Sequence, residues 1–267
     1  MRRYDCFVFD IDGTLIDESL ILPRQNAEMI DRLKKMGITI VIASGRMLSA
    51  VRKFMRENFN EEFPCICYNG AVVWTPQDGK IFEVKIDGPT SARVVEFLRK
   101  CDTHRQAYVD DVLYAEEDNE RVKAYSKHTG VDYRIVEDLR DFVLKNGSTK
   151  LLAIDEAERL DEIRKEALDL FGDKLEVFKS FPTYLDFTLK NVNKGIGLMK
   201  LAEHLKLNLE RTVAFGDNEN DVFMFDMVGL PVGVGTLNDE IRRKVKMVVK
   251  DGPKALASFV FDHILSR

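Results

Sequence analysis

Four short stretches of this chain carry side chains able to do chemistry. The first is Phe9-Asp10-Ile11-Asp12-Gly13-Thr14, an apolar run that ends in two carboxylates two residues apart. At the carboxyl end of a buried parallel strand, these acids would sit where open α/β sheets bind ligands. Keeping two carboxylates together costs repulsion and desolvation unless a cation joins them. Their oxygen donors suit a hard divalent ion, Mg²⁺ first. Gly13 allows a sharp exit from the strand, although Asp-Gly is also a common acidic turn.

The second stretch is Ala43-Ser44-Gly45-Arg46. A hydroxyl and free backbone N–H groups just ahead of a helix can bind an anion, and the same serine could equally be a helix cap. The third is Lys194-Gly195, at the start of a helical pattern. A cation there opposes the helix dipole, which a phosphate partner would explain; a surface lysine is the plain alternative. The fourth is Phe215-Gly216-Asp217-Asn218-Glu219-Asn220-Asp221. Asp217 is placed to complete a carboxylate metal site. One turn on, one of Asn220 and Asp221 can touch substrate while the other orients a ligand. Here the alternative is an acidic turn that caps a helix.

The elements that must position these residues follow from the apolar pattern. The continuous apolar run at residues 6–9 predicts a strand buried on both faces of a parallel sheet, 38–43 a second buried strand and 64–68 a third. Helices are predicted over 23–36, with proline near the start and Gly37 as the stop, and over 47–58. That alternation is the pattern of an α/β fold with a doubly wound parallel sheet. A hairpin follows at 71–74 and 81–84.

Residues 85–186 mix helices (90–100, 117–129, 156–171) with strands (106–109, 112–115, 131–136, 151–154, 175–178, 184–189), an α+β unit of domain size. The first pattern then resumes with a helix at 194–205, a strand at 212–215 and a helix at 222–227. Segments 232–234, 241–245, 247–249 and 253–265 complete it. The expected organisation is a core of residues 1–84 and 187–267 interrupted by an inserted domain, 85–186, with hinges near 84–88 and 185–192. All four chemical stretches lie in the core, at strand ends or helix starts.

Composition removes other classes. The 267 residues hold 40 Lys and Arg against 45 Asp and Glu, a net charge of −5, which argues against a nucleic-acid partner. No apolar run approaches the ~18–20 residues needed to cross a bilayer, so no membrane partner is expected. Met1-Arg2-Arg3 leads into a strand rather than a cleavable leader, and a cytoplasmic location is expected. Cys6, Cys65, Cys67 and Cys101, and the scattered His104, His128, His204 and His263, lack zinc-ligand spacing.

Taken in order, Asp10-Ile11-Asp12-Gly13-Thr14, Ser44-Gly45-Arg46, Lys194 and Gly216-Asp217-Asn218-Glu219-Asn220-Asp221 resemble the four motifs of the haloacid dehalogenase-like (HAD) phosphohydrolases. Tyr68-Asn69-Gly70-Ala71, and the large insertion between the second and third motifs, are similar to the Cof-type sugar-phosphatase branch. The resemblance implies a Rossmann-like HAD core with an inserted cap that governs substrate specificity. It implies Asp10 as nucleophile and Asp12 as general acid/base. Mg²⁺ would be held by Asp10, the backbone carbonyl of Asp12 and Asp217, with Asp221 supporting that site from behind. Ser44 and the backbone N–H groups of Ile11 and Gly45 would bind the phosphoryl group, beside Lys194 and Asn220.

The implied reaction is Mg²⁺-dependent hydrolysis of a small phosphorylated metabolite, above all a sugar phosphate, through an aspartyl-phosphate. The alternative is a phosphomutase using the same intermediate. A receiver-type switch needs no large insertion, and a non-catalytic module would have lost one of Asp10, Asp12, Lys194 or Asp217. Tyr108, Asp110, Asp111 and Tyr184 are candidate readers of the leaving group, each with a turn or core role as the alternative. One departure is Gly233-Val234-Gly235-Thr236-Leu237-Asn238, where many Cof-type chains carry Gly-Asn-Ala. No protein partner is legible.

Overall fold

The computed structural model describes residues 3–17 and 19–266. Met1 and Arg2, at the start read for a leader, lie outside the described residues, as does the side chain of His128. The chain divides into two compact units, Met1–Glu83 with Asn193–Arg267, and Val84–Val192.

The first unit opens with β1 (Cys6–Phe9), α1 (Arg24–Lys35), β2 (Thr39–Ala43), α2 (Leu48–Phe59), β3 (Cys65–Cys67), β4 (Val72–Thr75) and β5 (Gly79–Glu83). The second unit holds α3 (Gly88–Lys100), β6 (His104–Val109), β7 (Val112–Ala115), α4 (Glu120–Thr129), β8 (Tyr133–Ile135), α5 (Leu139–Asn146), β9 (Lys150–Ile154), α6 (Ala157–Phe171), β10 (Leu175–Phe181) and β11 (Tyr184–Leu189). The first unit then resumes with α7 (Lys194–Leu205), β12 (Thr212–Gly216), α8 (Val222–Phe225), β13 (Leu230–Val234), α9 (Asp239–Lys244), β14 (Met247–Val249) and α10 (Leu256–Phe259).

The first unit is built on an eight-stranded sheet in the order β14-β13-β12-β1-β2-β3-β4-β5. The strands from β14 to β3 run parallel, and β4 and β5 close the edge as an antiparallel hairpin. All four residues of β1 are buried, as a strand covered on both faces requires. Phe9 stacks on Phe215 of β12 at 4.7 Å. From β1 the chain winds outward through β2 and β3 on one side and through β12, β13 and β14 on the other. The crevice at such a switch point is where open α/β sheets take ligands. At Gly70, φ is +105° and a Cβ would fall 2.0 Å from the Asn193 carbonyl oxygen, so only glycine permits the approach.

The second unit has a six-stranded sheet, β10-β11-β9-β6-β7-β8, antiparallel except for β7–β8. Val95 and Leu98 of α3, Val143 of α5 and Leu160 of α6 pack with Leu151 and Phe187 into its core. Helix α5 has no counterpart in the sequence prediction. It is eight residues long, capped by Asp138, which accepts from the Asp141 N–H at 2.9 Å. Leu139 and Val143 supply one buried turn, too short a period to stand out from a loop.

Strand β11 pairs with both β9 and β10, so the second unit runs to Val192 and the crossover does not fall at 186/187. A hinge at 185–189 would break both ladders. Residues 253–265 are a 3₁₀ turn, the short α10 and a π turn rather than one helix. Tyr108 is buried and its hydroxyl bonds to that of Tyr125, whose ring meets Tyr184 edge-on at 5.2 Å. Asp110 and Asp111 form the β6–β7 turn at φ +50° and +61°, and Asp110 accepts from Lys85 at 2.6 Å. No disulfide joins the four cysteines; Cys6, Cys65 and Cys67 are buried, and burial pushes the Cys6 thiol up to about 12. Among the described residues no helix is long and apolar enough to cross a membrane.

Candidate active site

The carboxyl ends of β1 and β12 bring Asp10 and Asp217 together. Asp10 follows β1 directly, and its N–H donates to the Phe215 carbonyl at 3.0 Å, which ties its backbone to β12. Asp10, Asp217 and Asp221 each offer an oxygen within 4.8 Å of the others. Into this cluster comes Lys194, the first residue of α7. It is fully buried, and its Nζ donates to Asp10 Oδ1 at 2.6 Å and to Asp221 Oδ1 at 2.7 Å. The reading of Lys194 as a surface lysine is thereby excluded.

With all three carboxylates ionised the charges do not balance: they face one ammonium, an excess of two negative charges. Burial works against the ammonium of Lys194, but the attraction of Asp10 and Asp221 outweighs it and holds the group above its ordinary range. Burial raises Asp10 well above the usual carboxylate range; Lys194 opposes the rise, while Asp221, Asp217 and Asp12 add to it. Asp217 is pushed up to about 7, chiefly by burial and then by repulsion from Asp221; the hydroxyl of Thr14, donating to its Oδ1 at 2.9 Å, lowers it.

Asp221 has both oxygens engaged. Oδ2 accepts from the N–H groups of Asp217 at 3.0 Å and Asn218 at 3.1 Å, and Oδ1 accepts from Lys194. The capping alternative for this stretch is thus realised by Asn218 and Asp221, and Asp217 stands outside it. Asp217, by contrast, accepts from Thr14 at Oδ1, and among the described residues no hydrogen bond reaches its Oδ2.

Gly13 makes this cluster possible. Its φ is +82°, and a Cβ would lie 2.2 Å from Asp217 Oδ2 and 2.5 Å from Cγ. Gly13→Ala is expected to cost roughly 1–3 kcal/mol through backbone strain and to push Asp217 aside. A lower urea midpoint together with weaker divalent-ion binding would bear this out. Wild-type values of both would refute it.

Ser44 follows β2 and is buried, but it caps no helix: α2 starts at Leu48 behind Met47, with no side-chain cap. Its Oγ accepts from the Arg46 N–H at 3.2 Å, which leaves the hydroxyl proton to donate elsewhere. The Ile11 carbonyl closes the turn after β1 by accepting from Leu15 and Ile16, each at 3.0 Å. Among the described residues no backbone carbonyl takes the N–H of Ile11 or of Gly45. Asn220 donates through Nδ2 to Asn69 Oδ1 at 3.0 Å, while its own Oδ1 is buried without a partner. Asn69 also donates its N–H to the Ser44 carbonyl at 3.2 Å, and so joins the second and fourth stretches. Asn238, in the loop that departs from the Cof pattern, donates to Glu219 at 3.2 Å.

Asp12 is the residue that the structure does not bring into the cluster. Its carboxylate turns toward Arg46, whose Nε donates to Oδ2 at 2.9 Å and Nη2 to Oδ1 at 2.5 Å. Sequence reasoning gave no role to Arg46, Asn69 or Thr14. Each stood inside a motif already singled out, but nothing in a linear string names its partner.

A family model for haloacid dehalogenase-like hydrolases matches residues 7–255. The chain belongs to this family. The crystal structure of TM0651 from Thermotoga maritima resembles this HAD-like hydrolase at 41% identity and a TM-score of 0.89, covering 96% of this chain and 95% of that one. Pyridoxal phosphate phosphatase YbhA of Escherichia coli K12 is 25% identical, over 96% of this chain and 97% of its own. The HAD subclass IIB sugar phosphatase BT4131 shares the fold at a TM-score of 0.79 and 23% identity, covering 96% of this chain and 98% of that one. Family and relatives make this hydrolase an enzyme of the phosphatase class.

Proposed function

We propose that this protein is a Mg²⁺-dependent phosphohydrolase that removes phosphate from small phosphorylated metabolites, sugar phosphates first, through an aspartyl-phosphate on Asp10. The observation that carries the reading is the fully buried Lys194 between Asp10 and Asp221, beside Asp217, at the meeting of β1 and β12. A structural core gains little from such a cluster, whereas phosphoryl transfer needs a nucleophilic carboxylate beside fixed positive charge.

A divalent cation fits these residues on two grounds: the donors are hard oxygens, and the crowded carboxyls, once ionised, exceed the one ammonium by two charges. Asp10, Asp217 and the backbone carbonyl of Asp12 would hold it, and Asp221, with both oxygens engaged, would position Asp217 and Lys194. Bound there, the ion offsets negative charge on the transferring phosphoryl group.

The remaining steps belong to the protein. A carboxylate oxygen of Asp10 attacks phosphorus as the ester P–O bond breaks, and Asp12 gives its proton to the leaving alkoxide. Asp12 then takes a proton from the water that attacks the aspartyl-phosphate, releasing phosphate and restoring Asp10. Ser44, the N–H groups of Ile11 and Gly45, Lys194 and Asn220 hold the phosphoryl oxygens. The second unit, as an inserted cap, selects the leaving group. A cytoplasmic site of action suits four cysteines that form no disulfide.

The test is phosphate release from sugar phosphates, nucleotides and p-nitrophenyl phosphate, with Mg²⁺ and with EDTA. Release is expected with Mg²⁺ and is expected to disappear with EDTA. Transfer of phosphate between sugar positions without free phosphate would assign a mutase instead.

A further inference from the structure

We propose that Arg46 is a latch on Asp12, and that the phosphoryl group of the substrate opens it by taking the place of Asp12 on the guanidinium. The inference rests on Asp12 acting as the acid and base of the proposed reaction. Its starting point is the two-pronged contact: Arg46 Nε to Asp12 Oδ2 at 2.9 Å, and Nη2 to Oδ1 at 2.5 Å. In this grip both carboxylate oxygens of Asp12 accept from the guanidinium and are held on it.

The base of Arg46 is pinned while its head can move. Its N–H donates to Ser44 Oγ at 3.2 Å, and its carbonyl accepts from the Tyr68 N–H at 2.9 Å. The guanidinium lies 5.9 Å from the centre of the Phe54 ring. The side chains of the pair are 28% exposed for Arg46 and 49% for Asp12. Ion pairs this open to water are weak and readily exchanged. Lys194, fully buried between two carboxylates, has no such freedom.

A phosphoryl group presents the same pair of acceptor oxygens as a carboxylate with more negative charge, and a guanidinium fork matches it. Arg46 is two residues from Ser44, whose hydroxyl is a proposed phosphoryl ligand. A phosphoryl group seated there therefore competes with Asp12 for the fork. Its arrival frees the oxygens of Asp12 at the moment they are needed, and in an empty site the guanidinium holds them.

The test is a thermodynamic cycle on the Mg²⁺-loaded full chain, reading the affinity for inorganic phosphate by calorimetry in wild type, Asp12→Asn, Arg46→Met and the double variant. The Asn substitution weakens the latch and is expected to tighten phosphate roughly three- to fivefold, the worth of a partly exposed ion pair. Arg46→Met is expected to weaken phosphate at least ~10-fold, as loss of a charged hydrogen-bond donor does. In the Arg46→Met background the gain from Asp12→Asn should vanish.

If the gain survives there, it comes from general charge repulsion and the latch is wrong. Wild-type phosphate affinity in Arg46→Met would refute it too. Thermal midpoints of all four proteins show that they are folded. Arg46→Lys, which keeps the charge but not the fork, is expected to lose most of the coupling. No turnover is needed, so failure here and failure of the proposed hydrolysis are separately visible.

Discussion

Asp10→Asn is expected to reduce phosphate release by ~10⁴-fold or more, the scale on which loss of a covalent nucleophile acts. The substitution keeps the shape of the side chain and its place at the end of β1, so the N–H bond to the Phe215 carbonyl and the surrounding strands should persist. It removes one of three crowded carboxylates, which relieves repulsion from Asp217 and Asp221 while weakening the hold on Lys194. Stability is therefore expected to change far less than activity. Asp12 is not expected to take over the attack, because it stands outside the cluster of Asp10, Asp217 and Asp221 that Lys194 enters. Acid-quenched wild-type reactions should carry alkali-labile phosphate on the protein, and Asp10→Asn should carry none. Activity within about tenfold of wild type would remove Asp10 from the role of nucleophile.

Lys194→Met is expected to be the most destabilising of the single changes considered. It leaves Asp10 and Asp221 buried with no cation between them, and breaking one side of a buried ion pair costs ~3–5 kcal/mol. The loss should be largest in EDTA and smaller with Mg²⁺, since a divalent ion supplies part of the missing positive charge. Adding Asp221→Asn should return part of the stability by lowering the negative excess, but not the activity, because Lys194 also faces the phosphoryl group in the proposed reaction. Urea midpoints of the two variants with and without Mg²⁺ test this. A Lys194→Met protein as stable as wild type in EDTA would mean that the pairing contributes nothing.

Much of this architecture is local information. Buried strands β1, β2 and β12 are legible because each is a largely apolar run, and their ends are marked where carboxylates, serine or glycine interrupt it. The elements that escaped are short or edge-defined. Helix α5 has one buried turn, and the end of the second unit depends on β11 having partners on both sides, a fact about pairing rather than about the residues of β11.

The sequence by itself determined which residue types stand at which strand ends: Asp10 and Asp12 after β1, Ser44 after β2, Asp217 and Asp221 after β12, and Lys194 at the head of α7. Tertiary structure alone decided how they pair. Because β1 lies between β12 and β2, the residues that follow it have a different neighbour on each side. Asp10 meets the cluster of Asp217, Asp221 and Lys194, which face the β12 side. Asp12, two residues on, meets Arg46 on the β2 side. Two carboxylates that look equivalent in the sequence thus receive opposite surroundings, one buried and crowded by like charge, the other half-exposed and held by a guanidinium. Electrostatic environment is set by distance in space, and only the folded sheet brings the ends of three strands from far-apart parts of the chain to within a few bond lengths of one another.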